Sequence, residues 1–412
     1  MPFLSPLDLH LGPGAALLDR VRHETSPELA AAACHFARAF VVGSPWAPGF
    51  CCIGAELALD QAAAAAYGAP RLSVAGNGET METALTSCLG EAIDRLAVVE
   101  RPGDISATGS AQEFGASFAG SWISQAAFSA GEIDWVEARS VTTAETLALP
   151  ADLCLRRAPE RRFIDPVGAL SSGVAAGPDF ASAAARGALE LCERDAAALW
   201  WLGGRPPKAF PIEHAASMAG TELIRQLRQR RTDRRTLLLD ITTDLGIPSV
   251  AALSLNESGR GLACGLAARL DWEAATRAAI LEMCQMELAA PLAEAKRAER
   301  GDAALNDTDR RHLQRAAFAA SNCELIHPRD VSEPAQCPIA DDPVQAIASQ
   351  LDGVGVRLFA VDLTRSDLGV AVARMVSSEL QPYTTDIVTE RLRLCRANGS
   401  DLRLPTVAVP LF

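Results

Sequence analysis

The chain has 412 residues, about half of them hydrophobic, with ordinary glycine and proline content, a size that suits one large domain or two to three smaller ones. A net charge of −13 and six scattered histidines leave no electrostatic footprint for nucleic acid, so a protein this acidic would need metal to handle a polyanion. No apolar run is long enough to span a bilayer, and the opening M-P-F-L-S-P-L-D-L-H lacks the basic-then-apolar order of a signal peptide, which excludes a membrane helix and points to the cytoplasm.

Eleven cysteines form no C-x-x-C, and several lie inside apolar runs. They read as reduced core residues, not as zinc ligands.

In chain order, Ser26–Val41 reads as a helix capped by Ser26, and Glu56–Tyr67 as an Ala-rich helix, with the turn-rich G-S-P-W-A-P-G-F between them. Residues 1–70 are thus expected to form a mainly helical partner-binding or accessory segment, and 71–412 the main domain. Leu72–Ala75 reads as a short strand and Gly76-Asn77-Gly78 as a loop. The helix predicted over Thr80–Val99 carries Glu91, Asp94 and Arg95 between apolar flanks, with Ser87 one turn before Glu91 on the same face. Glu132–Pro150 alternates and turns as a hairpin. Ser171–Gly177, S-S-G-V-A-A-G, reads as a small-residue loop.

The next helix, Arg186–Trp201, repeats the charge order: Glu190, an acid at i+3 (Glu193), an arginine at i+4 (Arg194), then Asp195. It is apolar before, after and largely around its charges, so its carboxylates need cationic company. An i,i+4 ion pair between Glu190 and Arg194 is the ordinary reading. Glu193 and Asp195 are then left over, and a metal ion is the simplest answer for both.

Thr236–Thr242 and Ile247–Leu255 read as buried strands joined by T-D-L-G, and the phrase returns where Val356–Thr364 turns through R-S-D-L-G into Val370–Ser377. The repeat implies an internal structural duplication, and antiparallel pairs with helices between them imply an α+β fold. Asp271 caps a third helix, with Glu282 and Gln285 at i,i+3, expected to end near Pro291 before an exposed polar stretch over Ala293–Asp309. Pro328–Asp342 reads as a surface connection. The apolar tail L-P-T-V-A-V-P-L-F is expected to be packed or inserted near the site.

If the three helices converge, five carboxylates (Glu91, Asp94, Glu190, Glu193, Glu282) and the Gln285 amide share one space. Oxygen-only ligands select Mg2+, and Mg2+ without an all-protein cage implies that substrate phosphates complete its coordination. Arg95 and Arg194 suit bidentate contacts to phosphate, and Ser87 can donate to it. No Walker-type or kinase signature is present, so this would be a nucleotide site of another design.

These blocks resemble the YcaO family. S-C-L-G-E-A-I-D-R (Ser87–Arg95) fits its S-x3-E-x3-R element, S-S-G-V-A-A-G with G-A-L-E-L-C-E-R-D-A looks like its second signature, and D-I-T-T-D-L-G-I-P with E-M-C-Q (Glu282–Gln285) is similar to its third. The likeness runs from about Leu72 to the C-terminus.

It implies a YcaO-type fold of duplicated hairpin and helix units around a nucleotide site. It also implies ATP and Mg2+ as cofactors, and activation of a peptide backbone amide by phosphorylation of its oxygen. Attack by a neighbouring Cys, Ser or Thr would then give a thiazoline or oxazoline in a ribosomally made precursor peptide, and attack by external sulfide a thioamide. The resemblance assigns Glu91, Glu190, Glu193 and Glu282 to Mg2+, and Ser87, Asp94, Arg95, Arg194 and Gln285 to the nucleotide. It implies an E1-like leader-peptide-binding subunit, an FMN-dependent dehydrogenase, and a homodimer within a larger complex. In two places the chain departs from the family pattern: G-N-G stands where members often read G-K-G, and only Pro405 and Pro410 stand where azoline formers often end in Pro-x-Pro-x-Pro.

Overall fold

The computed structural model describes residues 27–114, 131–164, 172–320, 323–333, 342–383, 387–398 and 411. The strands in chain order are β1 (Phe36–Val41), β2 (Cys51–Ala58), β3 (Arg71–Gly78), β4 (Ala107–Ser110), β5 (Glu132–Ser140), β6 (Thr146–Pro150), β7 (Val174–Gly177), β8 (Lys208–Ala209), β9 (Arg234–Asp240), β10 (Ser249–Asn256), β11 (Ala263–Ala268), β12 (Asp330–Val331), β13 (Phe359–Asp362) and β14 (Ala371–Val376). The longer helices are α1 (Pro27–Ala33), α2 (Gln61–Tyr67), α3 (Met81–Ala97), α4 (Phe180–Trp201), α5 (Ala215–Arg228), α6 (Trp272–Arg300), α7 (Asp307–Ala317), α8 (Pro343–Asp352) and α9 (Glu390–Asn398).

The strands form three sheets, ordered β1-β2-β3, β11-β10-β9-β8-β12 and β4-β5-β13-β14-β7, with β6 paired to β5. Every pairing is antiparallel except β8 with β12. The fold is α+β, as the sequence implied.

The duplicated phrase forms the same hairpin twice. Asp240 accepts from the Thr242 amide at 2.8 Å, and Asp362 from the Thr364 amide at 2.9 Å. The two threonine hydroxyls accept in turn from the amides of Ser249 and Val372, at 3.0 and 3.2 Å. Each turn ends on a glycine in the left-handed region, Gly246 (φ +67°) and Gly369 (φ +77°), where a side chain would be strained. Leu245 and Leu368 are buried beneath the turns.

The repetition extends further. Hairpin β9-β10 continues into β11 and α6, and hairpin β1-β2 into β3 and α3; hairpin β13-β14 is completed by β7, and α4 follows β7 in the chain. There are thus three units of three antiparallel strands and a helix, the third drawn from two distant parts of the chain.

In each unit a glycine lets helix and strand meet backbone to backbone. A Cβ on Gly76 would lie 2.1 Å from Cys88 N and 2.2 Å from the Ala84 carbonyl; one on Gly265, 2.1 Å from the Ala279 carbonyl and 2.2 Å from Met283 N; one on helical Gly187, 2.7 Å from the Gly173 carbonyl.

Several local expectations are corrected. The helix expected over Ser26–Val41 stops at Ala33, and Phe36–Val41 is instead a strand whose apolar residues pack under α3. Residues Glu56–Ala58 end a strand, so the Ala-rich helix begins only at Gln61, with Asp60 as its cap. Tertiary pairing overrides alanine's helix preference here. Gly76-Asn77-Gly78 and Val174–Gly177 are not loops but the ends of β3 and β7, their small residues serving close helix approach. The sheet β1-β2-β3 pairs along eight positions across the expected boundary at residue 70.

The third helix continues through Pro291 to Arg300. Proline there costs one backbone hydrogen bond, while burial of Ala293 and the 2.7 Å ion pair of Lys296 with Asp309 of α7 hold the last turns in place. Ser26, Ser171, residues 334–341 and the tail apart from Leu411 lie outside the described residues.

Because Gly265 leaves no room for a methyl group, Gly265→Ala is expected to destabilise the protein by at least about 2 kcal/mol, measured by urea denaturation; an unchanged midpoint would contradict this helix–strand contact.

Candidate functional site

The three helices start on capped turns that fix where their acids fall. Thr80 accepts from the Thr83 amide at 3.2 Å, Asp179 from Ser182 at 2.7 Å and Asp271 from Ala274 at 2.8 Å, satisfying amides with no partner inside the helix. One glutamate of each helix is then anchored to the backbone in, or just before, the strand beneath it. Glu91 Oε2 accepts from Ala75 N at 3.1 Å, Glu190 Oε2 from Gly173 N at 2.9 Å and Glu282 Oε2 from Leu266 N at 2.6 Å. The donors lie 16, 17 and 16 residues before their acceptors, so each unit performs the same operation.

The other oxygen of Glu91 meets Arg95 at 3.1 Å, and that of Glu190 meets Arg194 at 3.3 Å. Arg194 also lies 3.5 Å from Glu193. Gln285 accepts from the Asn77 side chain at 2.5 Å, which joins α6 to β3 and places the asparagine of G-N-G at the site.

Electrostatics show that the helices share one space. Burial pushes Glu193 up to about 8, with Arg194 and Arg269 opposing and Glu282 and Glu190 adding to the rise. Burial likewise raises Glu282, against Arg194 and the Leu266 amide. Arg194 is raised despite burial, because Glu193, Glu190 and Glu282 all surround it. Burial, then Glu190 and Glu91, raise Asp94 far above the carboxylate range. One Asp94 oxygen, Oδ1, is shielded from solvent with no hydrogen-bond partner.

The structure therefore gathers Glu91, Asp94, Arg95, Glu190, Glu193, Arg194, Glu282 and Gln285. Ser87 is exposed on α3, one turn before Glu91. Asp195 is the exception to the expected need for metal: it points away and is held by Arg391 at 2.8 Å and by the Gln381 amide at 2.9 Å.

A cavity of about 250 Å3 opens between α3 and α4, lined by Glu91, Asp94, Arg95, Glu190 and Arg194, and also by Tyr67 and Arg156. Sequence reasoning missed the last two. Tyr67 donates to the Arg95 carbonyl at 2.7 Å, and the Arg156 guanidinium lies 4.5 Å from the tyrosine ring. Tyr67 is one of only two tyrosines in the chain, a faint signal. None of the ten described cysteines forms a disulfide, and burial pushes Cys52, Cys154 and Cys284 up to about 12, where these three offer no thiolate nucleophile.

Among the described residues no three His, Cys, Asp or Glu side chains stand close enough to hold a metal ion alone. The residues nonetheless fit Mg2+ bound together with phosphate. Glu91, Asp94, Glu190, Glu193 and Glu282 stand about Arg95 and Arg194, Asp94 has an unpartnered buried oxygen, and Mg2+ typically takes one or two carboxylates plus phosphate and water.

The family model described as YcaO cyclodehydratase, ATP- and Mg2+-binding, matches residues 75–381. The chain belongs to the YcaO family. ATP and Mg2+ are accordingly its cofactors. Among solved structures, YcaO from Methanopyrus kandleri bound with AMPPCP and Mg2+ is similar over 89% of this chain and 91% of its own, at 21% identity and a TM-score of 0.62. A heterocyclase in complex with substrate and cofactor matches at 21% identity and a TM-score of 0.62, over 87% of this chain but 49% of its own, so this chain spans about half that protein's length. The E. coli microcin synthetase McbBCD complex with pro-MccB17 bound matches at 15% identity and a TM-score of 0.60, over 89% of this chain and 96% of its own. These likenesses show the YcaO fold. No curated relative matches the sequence. Among the described residues no helix is long and apolar enough to cross a membrane.

Without nucleotide and metal, Glu193 is a liability. Its folded pKa, near 8, lies above the ordinary glutamate value, so the stability it allows is complete at low pH and is lost as pH rises toward 8. Glu193→Gln is expected to stabilise the metal-free protein by at least about 1 kcal/mol at pH 8, with little effect near pH 4; thermal melts across pH read this, and a pH-independent difference would contradict it.

Proposed function

We propose that this YcaO protein is an ATP- and Mg2+-dependent cyclodehydratase that forms thiazoline or oxazoline rings from Cys, Ser or Thr in a ribosomally made peptide. The observation that carries the reading is the threefold anchoring of Glu91, Glu190 and Glu282 by backbone amides around Arg95 and Arg194. Each anchor occupies one carboxylate oxygen with a backbone donor and so fixes the orientation of the group.

In this reading Glu91, Glu190, Glu193 and Glu282 hold Mg2+. Ser87, Asp94, Arg95, Arg194 and Gln285 contact the nucleotide. Bound ATP supplies the phosphoryl group that makes an amide oxygen a good leaving group, and Mg2+ neutralises charge on the phosphoryl oxygens. Arg194 lies against Glu190 and Glu193, so its guanidinium stays charged and placed where phosphate oxygens would sit. No side chain of the set serves as an evident general base. A partner subunit of the E1-like kind would present the peptide, with an FMN-dependent dehydrogenase acting on the azolines and a homodimer forming within the larger complex.

The second reading, implied by the same family likeness, is thioamide formation with external sulfide. Mass spectrometry of peptide incubated with ATP, Mg2+ and partner separates the two, since cyclisation removes one water per ring and thioamidation replaces oxygen with sulfur. A nucleotide-binding subunit without chemistry of its own would release no phosphate in a peptide-dependent way.

Arg194→Lys keeps the charge but loses the planar fork. It is expected to lower peptide-dependent phosphate release on the order of 100-fold, and undiminished release would remove Arg194 from the proposed role.

A further inference from the structure

Away from the carboxylate site, the charge of the protein reverses sign. The end of α5 and the start of β9 form the stretch R-Q-L-R-Q-R-R-T-D-R-R, with arginines at 225, 228, 230, 231, 234 and 235. Consecutive left-handed residues, Gln229 (φ +47°) and Arg230 (φ +72°), turn the chain between the two elements.

A groove of about 830 Å3 lies here, lined by Thr221, Ile224, Arg228, Arg231, Arg234 and Thr236 among others. Arg228 and Arg234 are both committed to the fully buried Glu287, at 2.6 and 3.0 Å, and Arg225 to Glu222 at 2.6 Å. Arg230 and Arg231, which also line the groove, are exposed, and their side chains join no ion pair found among the described residues. The groove thus presents surplus positive charge on a chain of net charge −13, a local field that attracts an anionic partner.

The backbone beside it is also open. Strand β9 pairs with β10 along its whole length, but with β8 only at Leu239 and Asp240. Among the described residues no strand lies on that side of Arg235–Leu238, where Leu237 and Leu238 are half-buried. Such an edge accepts an added strand, with main-chain hydrogen bonds for affinity and flanking side chains for selectivity.

We infer that this groove docks an acidic, extended segment of the peptide substrate, in a part that is not cyclised. The inference rests on the peptide reading above. Helix α6 links the two places: Glu282 and Gln285 belong to the carboxylate site, and Glu287, which anchors the groove arginines, follows five residues after Glu282, roughly 8 Å along the axis. Because the two glutamates face different sides of α6, the groove and the carboxylate site lie on opposite faces of one helix. Nucleic acid meets the charge but not the strand edge.

The test is fluorescence anisotropy of a labelled peptide of alternating Glu and Thr, with three comparison probes: the same sequence with Lys for Glu, the same sequence with alternate amides N-methylated, and a short single-stranded DNA. The expected result is binding of the Glu peptide, weakened at least about 10-fold in the variant Arg230→Glu, Arg231→Glu, with comparable loss on N-methylation and no binding of the Lys peptide. Thermal melts confirm that the variant folds, and the single variant Arg231→Glu carries the same expectation in smaller measure.

Three outcomes would overturn the inference: no binding of the Glu peptide, which would leave the arginines as protection of an open edge; binding that the variants do not weaken; or DNA binding as tightly, with N-methylation immaterial, which would mark a general polyanion surface. Binding of Mg2+ with AMPPCP, measured on the same samples, reads the carboxylate site separately. Its absence in the wild type would count against the function, while its presence without peptide binding would count against the groove alone.

Discussion

The structure depends on one contact made three times: a glutamate carboxylate on a helix accepting from a backbone amide in, or just before, the strand below. An unanchored glutamate has several rotamers, and an acid pushed by its neighbours would swing toward water. With one oxygen tied to Ala75, Gly173 or Leu266, each acid is held among others of its own sign. That repulsion is tolerable because Arg95 and Arg194 sit between them and because part of the charge is suppressed by burial, as the raised Glu193, Glu282 and Asp94 show. Glycines at 76, 187 and 265 are the condition for this arrangement, since they bring helix and strand backbones close enough to make the contact.

Other buried charges in the molecule are balanced in a different manner. Arg157, nearly inaccessible to solvent, meets Glu100, Asp134 and Asp152, and Asp152 in turn accepts from the amides of Phe163 and Ile164. Arg365 is shared between Asp104 and the carbonyls of Ala97 and Val99 at the end of α3. Arg315 and the Tyr383 hydroxyl bind the carbonyl and amide of Leu411, whose side chain is fully buried in the core that holds Trp200 and Trp201. Each of these groups has its partners, so they fix backbone. At the carboxylate site, by contrast, burial and like-charged neighbours leave Glu193, Glu282 and Asp94 raised, a pattern more typical of a functional cluster than of a structural salt bridge.

Much of the site was legible in the sequence because its chemistry repeats at helical spacing. The acid, acid, arginine order at Glu91, Asp94, Arg95 and again at Glu190, Glu193, Arg194 survives any error in helix boundaries, and the two D-L-G hairpins announced the duplication of units. Asp195 shows the limit of this reasoning: its partner Arg391 lies 196 residues away, and no local pattern reports such a pair. Tyr67 and Arg156 were invisible for the same reason. The misread segments share a physical cause. Small residues in 76–78 and 174–177 look like loop but serve as strands under helices, and in alanine-rich or proline-bearing stretches sheet pairing or helix packing outweighs local preference.

The third unit is assembled from β7 and α4 near the middle of the chain and from β13 and β14 almost two hundred residues later. Closing so long a loop is an entropic barrier that the two locally connected units do not face. During synthesis the first and second units can therefore collapse while the ribosome still holds the last hairpin, and α4 must wait with its apolar flank uncovered. The surroundings of Glu190 and Arg194 are therefore completed only after the β13-β14 hairpin has emerged, so this part of the carboxylate cluster is ordered later than the parts on α3 and α6.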